Sequence, residues 1–154
     1  DGMSSRLFLN LRELHSLAYE INSSIDHFKD CGSLMVYCGV EPKKSREAVR
    51  AVVGELRGMC QEASPQELTK AQEYTKGRLL LRMEDTRAVA SWLASQETLQ
   101  GRVMTPDEVI RRIDAVTPPD VARVAQRLFD EDKLRLAVVG PHRSDKAFLK
   151  LLHF

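Results

Sequence analysis

Residues 4–19, SSRLFLNLRELHSLAY, change period partway along. Leu7, Leu11 and Leu14 recur at helical spacing with Phe8 beside them, and Ser4 or Ser5 can cap the start. Past Leu14 the apolar and aromatic positions are Leu17, Tyr19, Ile21 and Ile25, at every second or fourth residue, which is the period of a strand. A helix therefore passes into a strand near His15-Ser16. Arg12 falls on the last helical turn and Tyr19 opens the strand, so one tight bend holds a guanidinium and a phenol close together. Arg offers a planar, always charged fork of donors and Tyr one O–H donor on a stiff ring. Such a pair can hold peptide carbonyls, or a developing oxyanion, from two directions. Spacing alone admits a plainer reading too: a helix-end Arg facing solvent or the helix dipole, and a Tyr half-buried for packing.

Working outward, residues 19–26 read as a strand and Asp30-Cys31-Gly32 as a turn. Residues 33–40 read as a second strand, with Leu34, Val36, Cys38 and Val40 on one side, so the two should form an antiparallel hairpin. Residues 43–61 form the clearest amphipathic helix, striped by Val49, Val52, Val53, Leu56, Met59 and Cys60. Ser64-Pro65-Gln66-Glu67 and Thr105-Pro106-Asp107-Glu108 are capping-box helix starts, and Thr117-Pro118-Pro119-Asp120 is the same device with Asp for Glu. The helix from Pro65 should kink or break at Glu84-Asp85-Thr86 and end near Gln100-Gly101. Shorter helices follow over 106–115 and 118–129. Residues 134–139, LRLAVV, are nearly all apolar and predict a strand buried in a sheet; a last short helix is expected over 144–152. A buried strand of that kind needs neighbours that three strands do not supply, so the sheet is expected to be incomplete or completed by another chain.

With 154 residues, 43% hydrophobic and 29% charged, the chain has the composition of one soluble globular core. A formal net charge of +1 points to no particular partner, and no basic block with interleaved aromatics suggests nucleic acid. No apolar run is long enough to span a membrane. Cys31, Cys38 and Cys60 are an odd number without a CxxC, which fits a thiol-reducing compartment, with Cys38 and Cys60 expected as buried free thiols. His15, His27, His142 and His153 are scattered and form no zinc-ligand pair.

Several blocks, taken in order, carry a family resemblance. They are Gly2-Met3-Ser4-Ser5-Arg6-Leu7-Phe8, Leu11-Arg12-Glu13, Leu17-Ala18-Tyr19, Phe28-Lys29-Asp30-Cys31-Gly32, the run from Leu79 to Thr86, the run from Ile113 to Pro118, and Leu136-Ala137-Val138-Val139-Gly140-Pro141. Together they resemble the pitrilysin- and insulinase-like zinc metallopeptidases, or inverzincins, which include the mitochondrial processing peptidase. The resemblance implies an α+β fold, a mixed and mostly antiparallel sheet with helices packed on one face. Residues 1–154 would be a single C-terminal domain without zinc, N-terminally truncated and lacking its first strands. In that family two such halves close around a peptide chamber. The H-x-x-E-H motif, with zinc and a general-base Glu that activate water, belongs to the N-terminal half.

The same resemblance assigns roles here. Tyr19 would donate to the scissile carbonyl or its oxyanion, and Arg12 would hold a nearby substrate carbonyl. The expected partners are an N-terminal zinc-bearing domain or subunit, a peptide substrate and, through an open sheet edge, a second copy. No cofactor is expected in this chain, which alone should be inactive; the compartment would be bacterial cytoplasm or mitochondrial matrix. The family also contains silent members, so a scaffold or peptide-binding subunit is the alternative. One departure matters. The family writes a basic residue and Gly before Leu-Ala-Tyr, and this chain has His15-Ser16. Gly favours a left-handed turn there, which Ser adopts at a cost of about 1 kcal/mol. His15 reads as a helix-end cation or, less economically, as a base.

Overall fold

The computed structural model describes residues 2–61 and 63–153. Two compact units divide the chain. The first gathers Asp1–Asp26, Ser33–Gln61 and Ala122–Phe154; the second gathers His27–Gly32 and Glu62–Val121.

The first unit opens with a helical turn at Arg6-Leu7 that widens into the π-helix Phe8–Leu14. Ser5 caps it, accepting from the Phe8 N–H at 3.3 Å. Strands β1 (Ala18–His27) and β2 (Gly32–Val40) form the expected antiparallel hairpin. The Phe28 N–H donates to the Cys31 carbonyl at 2.9 Å across its tip, and the Ser33 hydroxyl donates to Asp26 at 3.2 Å. Both pairs lie on one register, which sets Tyr19 opposite Val40 and Ile21 opposite Cys38. A short 3-10 turn, Pro42–Lys44, leads into helix α1 (Ser45–Gly58). Among the described residues of this unit the buried apolar ones are Leu11, Leu17, Ala18, Ala48, Val53, Ala122, Ala125 and Phe148, and Leu11 is the one large side chain shut off completely.

Apart from His27–Gly32 at the hairpin tip, the second unit is built of helices. Helix α2 (Pro65–Arg82) starts where Ser64 accepts from the Glu67 N–H at 3.2 Å. It stops before the expected break, and α3 (Thr86–Gln100) restarts on an Asp85 cap that accepts from the Ala88 N–H at 2.7 Å. Gly101 closes α3 in the left-handed conformation, φ 64°. Helix α4 (Pro106–Asp114) carries a full capping box. Helix α5 (Pro118–Leu128) begins in this unit, where the Asp120 carboxylate accepts from both the N–H and the hydroxyl of Thr117, at 3.2 and 2.6 Å. Gln72 on α2 donates to the Ile113 and Val116 carbonyls at 2.9 and 3.1 Å, and Lys76 meets Asp114 at 2.7 Å, which fastens α2 to α4. The buried Gln96 amide donates to the Met104 carbonyl and accepts from the Met104 N–H, satisfying the backbone of the loop after α3. Back in the first unit, α6 (Lys146–Leu149) is shorter than the helix predicted over 144–152.

Three expectations are corrected. Residues 134–139 are not a strand: they have no ladder partner among the described residues, and Leu136, Val138 and Val139 are exposed. Apolar content made them look sheet-bound, but a strand exists only by pairing. Leu14 is 75% exposed rather than on the buried stripe, because i→i+5 winding swings it further round than α-helical spacing does. Cys38 and Cys60 are free thiols as expected but only half-buried, Cys38 because a two-stranded sheet covers little and Cys60 because it falls past the end of α1. Partial burial still pushes the Cys38 thiol above its ordinary pKa.

Candidate functional site at the helix-to-strand bend

The bend falls where residues 4–19 predict it. The His15 N–H reaches back to the Asn10 carbonyl at 3.1 Å, and the Leu17 N–H to the Leu11 carbonyl at 2.7 Å. This is a Schellman-like close, one residue wider because the last turn is π. Ser16 occupies the left-handed position at φ 48°, as expected for a residue standing where glycine would be easier.

Two side chains from elsewhere in the first unit brace the strained turn. Lys44 donates to the Ser16 carbonyl at 3.0 Å, and the Asn10 amide donates to the Glu55 carboxylate on α1. Neither Lys44, Asn10 nor Glu55 stands out in the sequence, because their roles depend on partners 28 and 45 residues away. The one sequence signal for this brace was Ser in a glycine position, which has to be held from outside.

The bend sorts its residues by depth. Leu11, Leu17 and Ala18 are buried, while Arg12 and Tyr19, each next to one of them, face outward. Tyr19 is 86% exposed, not half-buried, and its hydroxyl makes no hydrogen bond to a described residue. Arg12 lies with its guanidinium carbon 4.9 Å from the centre of the Phe8 ring and its Nε 3.9 Å from Glu13. No hydrogen bond or cation–π contact joins Arg12 to Tyr19. The two therefore share one short bend as separate donors. His15 and His27 are both exposed, and His15 ends the helix.

Chemically, the bend can present a neutral donor and a permanent cation to something bound against it. Among the described residues no group of three or more His, Cys, Asp or Glu could hold a metal. None of the described helices is long and apolar enough to cross a membrane.

Comparison with known proteins finds relatives of the chain. Residues 1–74, which include the bend, match the family model described as the peptidase M16 inactive domain. An uncharacterized zinc protease of Streptomyces coelicolor is 33% identical over 95% of this chain and 32% of its own length. One from Bacillus subtilis is 33% identical over 91% of this chain and 34% of its own length. The chain thus spans about a third of the curated relatives it matches. Among solved structures, a chain of complex III from Candida albicans, Inz-5 bound, superposes with a TM-score of 0.72 at 22% identity, covering 80% of this chain and 30% of that one. The periplasmic protease PqqL from Escherichia coli gives 0.60 at 19% identity, covering 79% and 14%. Both share the fold, in keeping with the α+β reading, and the family-model match and the zinc-protease relatives agree with the family resemblance drawn from the sequence.

Proposed function

We propose that this chain is a C-terminal domain of the M16 peptidase family and the substrate-holding half of a zinc metalloendopeptidase, a reading supported by its likeness to the peptidase M16 inactive domain and to zinc proteases. The other half is an N-terminal zinc-bearing domain or subunit, and the substrate is a peptide enclosed between the two. Among the described residues no cluster fits the metal, and zinc is proposed to sit in that other half.

Within this reading the Tyr19 hydroxyl donates to the scissile carbonyl oxygen as that oxygen gains negative charge. Arg12 holds a neighbouring substrate carbonyl. To do so the guanidinium leaves the Phe8 ring and Glu13, and exposed contacts of that kind cost little to break. The observation that carries the reading is the depth sorting at the bend: a phenol 86% exposed and unengaged beside a buried Leu17-Ala18 pair. A rigid base under a free donor is what oxyanion stabilisation requires.

The experiment is hydrolysis of an internally quenched peptide by the longer polypeptide, or by this chain together with its zinc-bearing partner. Tyr19→Phe should lower kcat by about 10²- to 10³-fold with KM little changed, as for loss of one oxyanion donor. Unchanged kcat would remove Tyr19 from the mechanism. The second reading, a silent peptide-binding scaffold, draws on the likeness to a complex III chain. An H-x-x-E-H motif in the rest of the polypeptide or in a neighbouring reading frame favours the peptidase; its absence from both favours the scaffold.

A further inference from the structure

A second surface of the first unit carries chemistry that the bend does not use. Helix α6 packs against α1, anchored by the buried Phe148. The chain just beyond α6 is tied to α1 where Arg57 donates to the His153 carbonyl at 2.8 Å. Between the two helices runs an open groove of about 810 Å³. Lys43, Arg46 and Arg50 line one wall and Lys146 and Lys150 the other, with Glu47 the sole carboxylate among the lining residues.

None of these six side chains takes part in an ion pair or side-chain hydrogen bond with a described residue, and all six are exposed. The formal net charge of +1 for the whole chain thus conceals five cations facing one anion in one place. Arg46 also sits in the first turn of α1, where the helix dipole is positive and disfavours a cation. The arrangement works against the fold taken alone and in favour of an anion.

The spacing narrows the class of anion. Arg46 and Arg50 stand one helical turn apart, about 6 Å along the axis, as do Lys146 and Lys150 across the groove. Carboxylates at alternate positions of an extended chain repeat at about 6.8 Å. A compact phosphate would need cations converging on one point, and here they form two rows. Ala147 and Leu151 add apolar lining that suits a peptide backbone and side-chain stems better than a bare polyanion. We propose that the α1/α6 groove binds an acidic peptide segment, rich in Asp or Glu and laid extended between the two rows of cations.

The test uses this chain and fluorescein-labelled hexaglutamate, read by fluorescence anisotropy. Binding at low salt that weakens steeply as salt rises is expected, since exposed charges are screened beyond a Debye length. Arg46→Glu together with Lys150→Glu should weaken it at least about tenfold by the loss and reversal of close charge pairs. Lys70→Glu, on the exposed face of α2, should change it less than about twofold. The neutral pair Arg46→Gln and Lys150→Gln should shift affinity in the same direction by less, with unchanged helical circular dichroism. Absence of binding at low salt, an equal effect of Lys70→Glu, or binding of inorganic polyphosphate with none of hexaglutamate would overturn the proposal.

Discussion

The bend at Ser16 and the start of α4 are both helix ends, and they are held by opposite means. At α4 the Thr105 hydroxyl accepts from the Glu108 N–H at 3.2 Å while the Glu108 carboxylate accepts from the Thr105 N–H at 2.8 Å. Arg102 adds a contact to Glu108 at 2.6 Å. Every partner lies within six residues, in ordinary backbone conformations. At the bend the partners are remote, Lys44 on the Ser16 carbonyl and Glu55 on Asn10, and the backbone is left-handed at a non-glycine residue. A local device sets a boundary, whereas a tertiary brace holds a residue in a conformation it would not choose. The role proposed for Tyr19 puts its donor on the braced end.

This contrast predicts an order of sensitivities. The largest effect should come from Leu11→Ala, which empties the one fully buried large side chain under the bend; about 2–5 kcal/mol of stability should be lost in urea unfolding. Next, Ser16→Val should cost about 1–2 kcal/mol, because a branched side chain tolerates the left-handed region poorly, while Ser16→Gly should stabilise by up to about 1 kcal/mol. If both Ser16 variants were neutral, the bend would not be strained and the comparison would collapse. Thr105→Ala should cost about 1 kcal/mol, the ordinary worth of a cap, with no effect at the bend. A Thr105→Ala loss exceeding that of Leu11→Ala would reverse the ranking.

The smallest effect is a pH dependence at α4. The hydrogen bond from the Thr105 N–H, helped by the Arg102 charge, holds the Glu108 carboxyl below its usual pKa in the folded state. A folded pKa below the unfolded one means that the stabilisation is complete above the ordinary carboxylate range. It is lost as pH falls through that range to the lowered folded value. Stability curves of the native chain and Glu108→Gln should therefore differ near neutral pH and draw together in acid. Parallel curves would mean that the carboxylate charge contributes nothing to the cap.

How much of this was legible follows from the same contrast. The starts at Ser64, Thr105 and Thr117 could be read because cap and partner sit three residues apart. The break at Glu84-Asp85-Thr86 could be read too, though not that Asp85 caps the helix after it. The hairpin was legible because alternation and a turn cue agreed. Residues 134–139 misled because six nearly apolar residues specify burial or pairing without naming a partner, and none pairs with them among the described residues. Leu14 misled because π winding has no signature in a helical period. For the candidate site, the positions of Arg12 and Tyr19 on either side of a bend were visible, and so was the strain at Ser16. The exposure of Tyr19 and the brace from Lys44 and Glu55 were not, since both depend on what the rest of the chain leaves uncovered.

The role proposed above has the bend present Tyr19 as a donor to a carbonyl turning tetrahedral. Its most direct measurement compares two ligands of the intact peptidase, a phosphinic peptide that mimics the tetrahedral state and the matching uncleaved peptide. Tyr19→Phe should weaken binding of the phosphinic peptide by about tenfold or more, about 1.4 kcal/mol, and leave the ordinary peptide within about twofold. Equal losses for both ligands, or none for either, would contradict it.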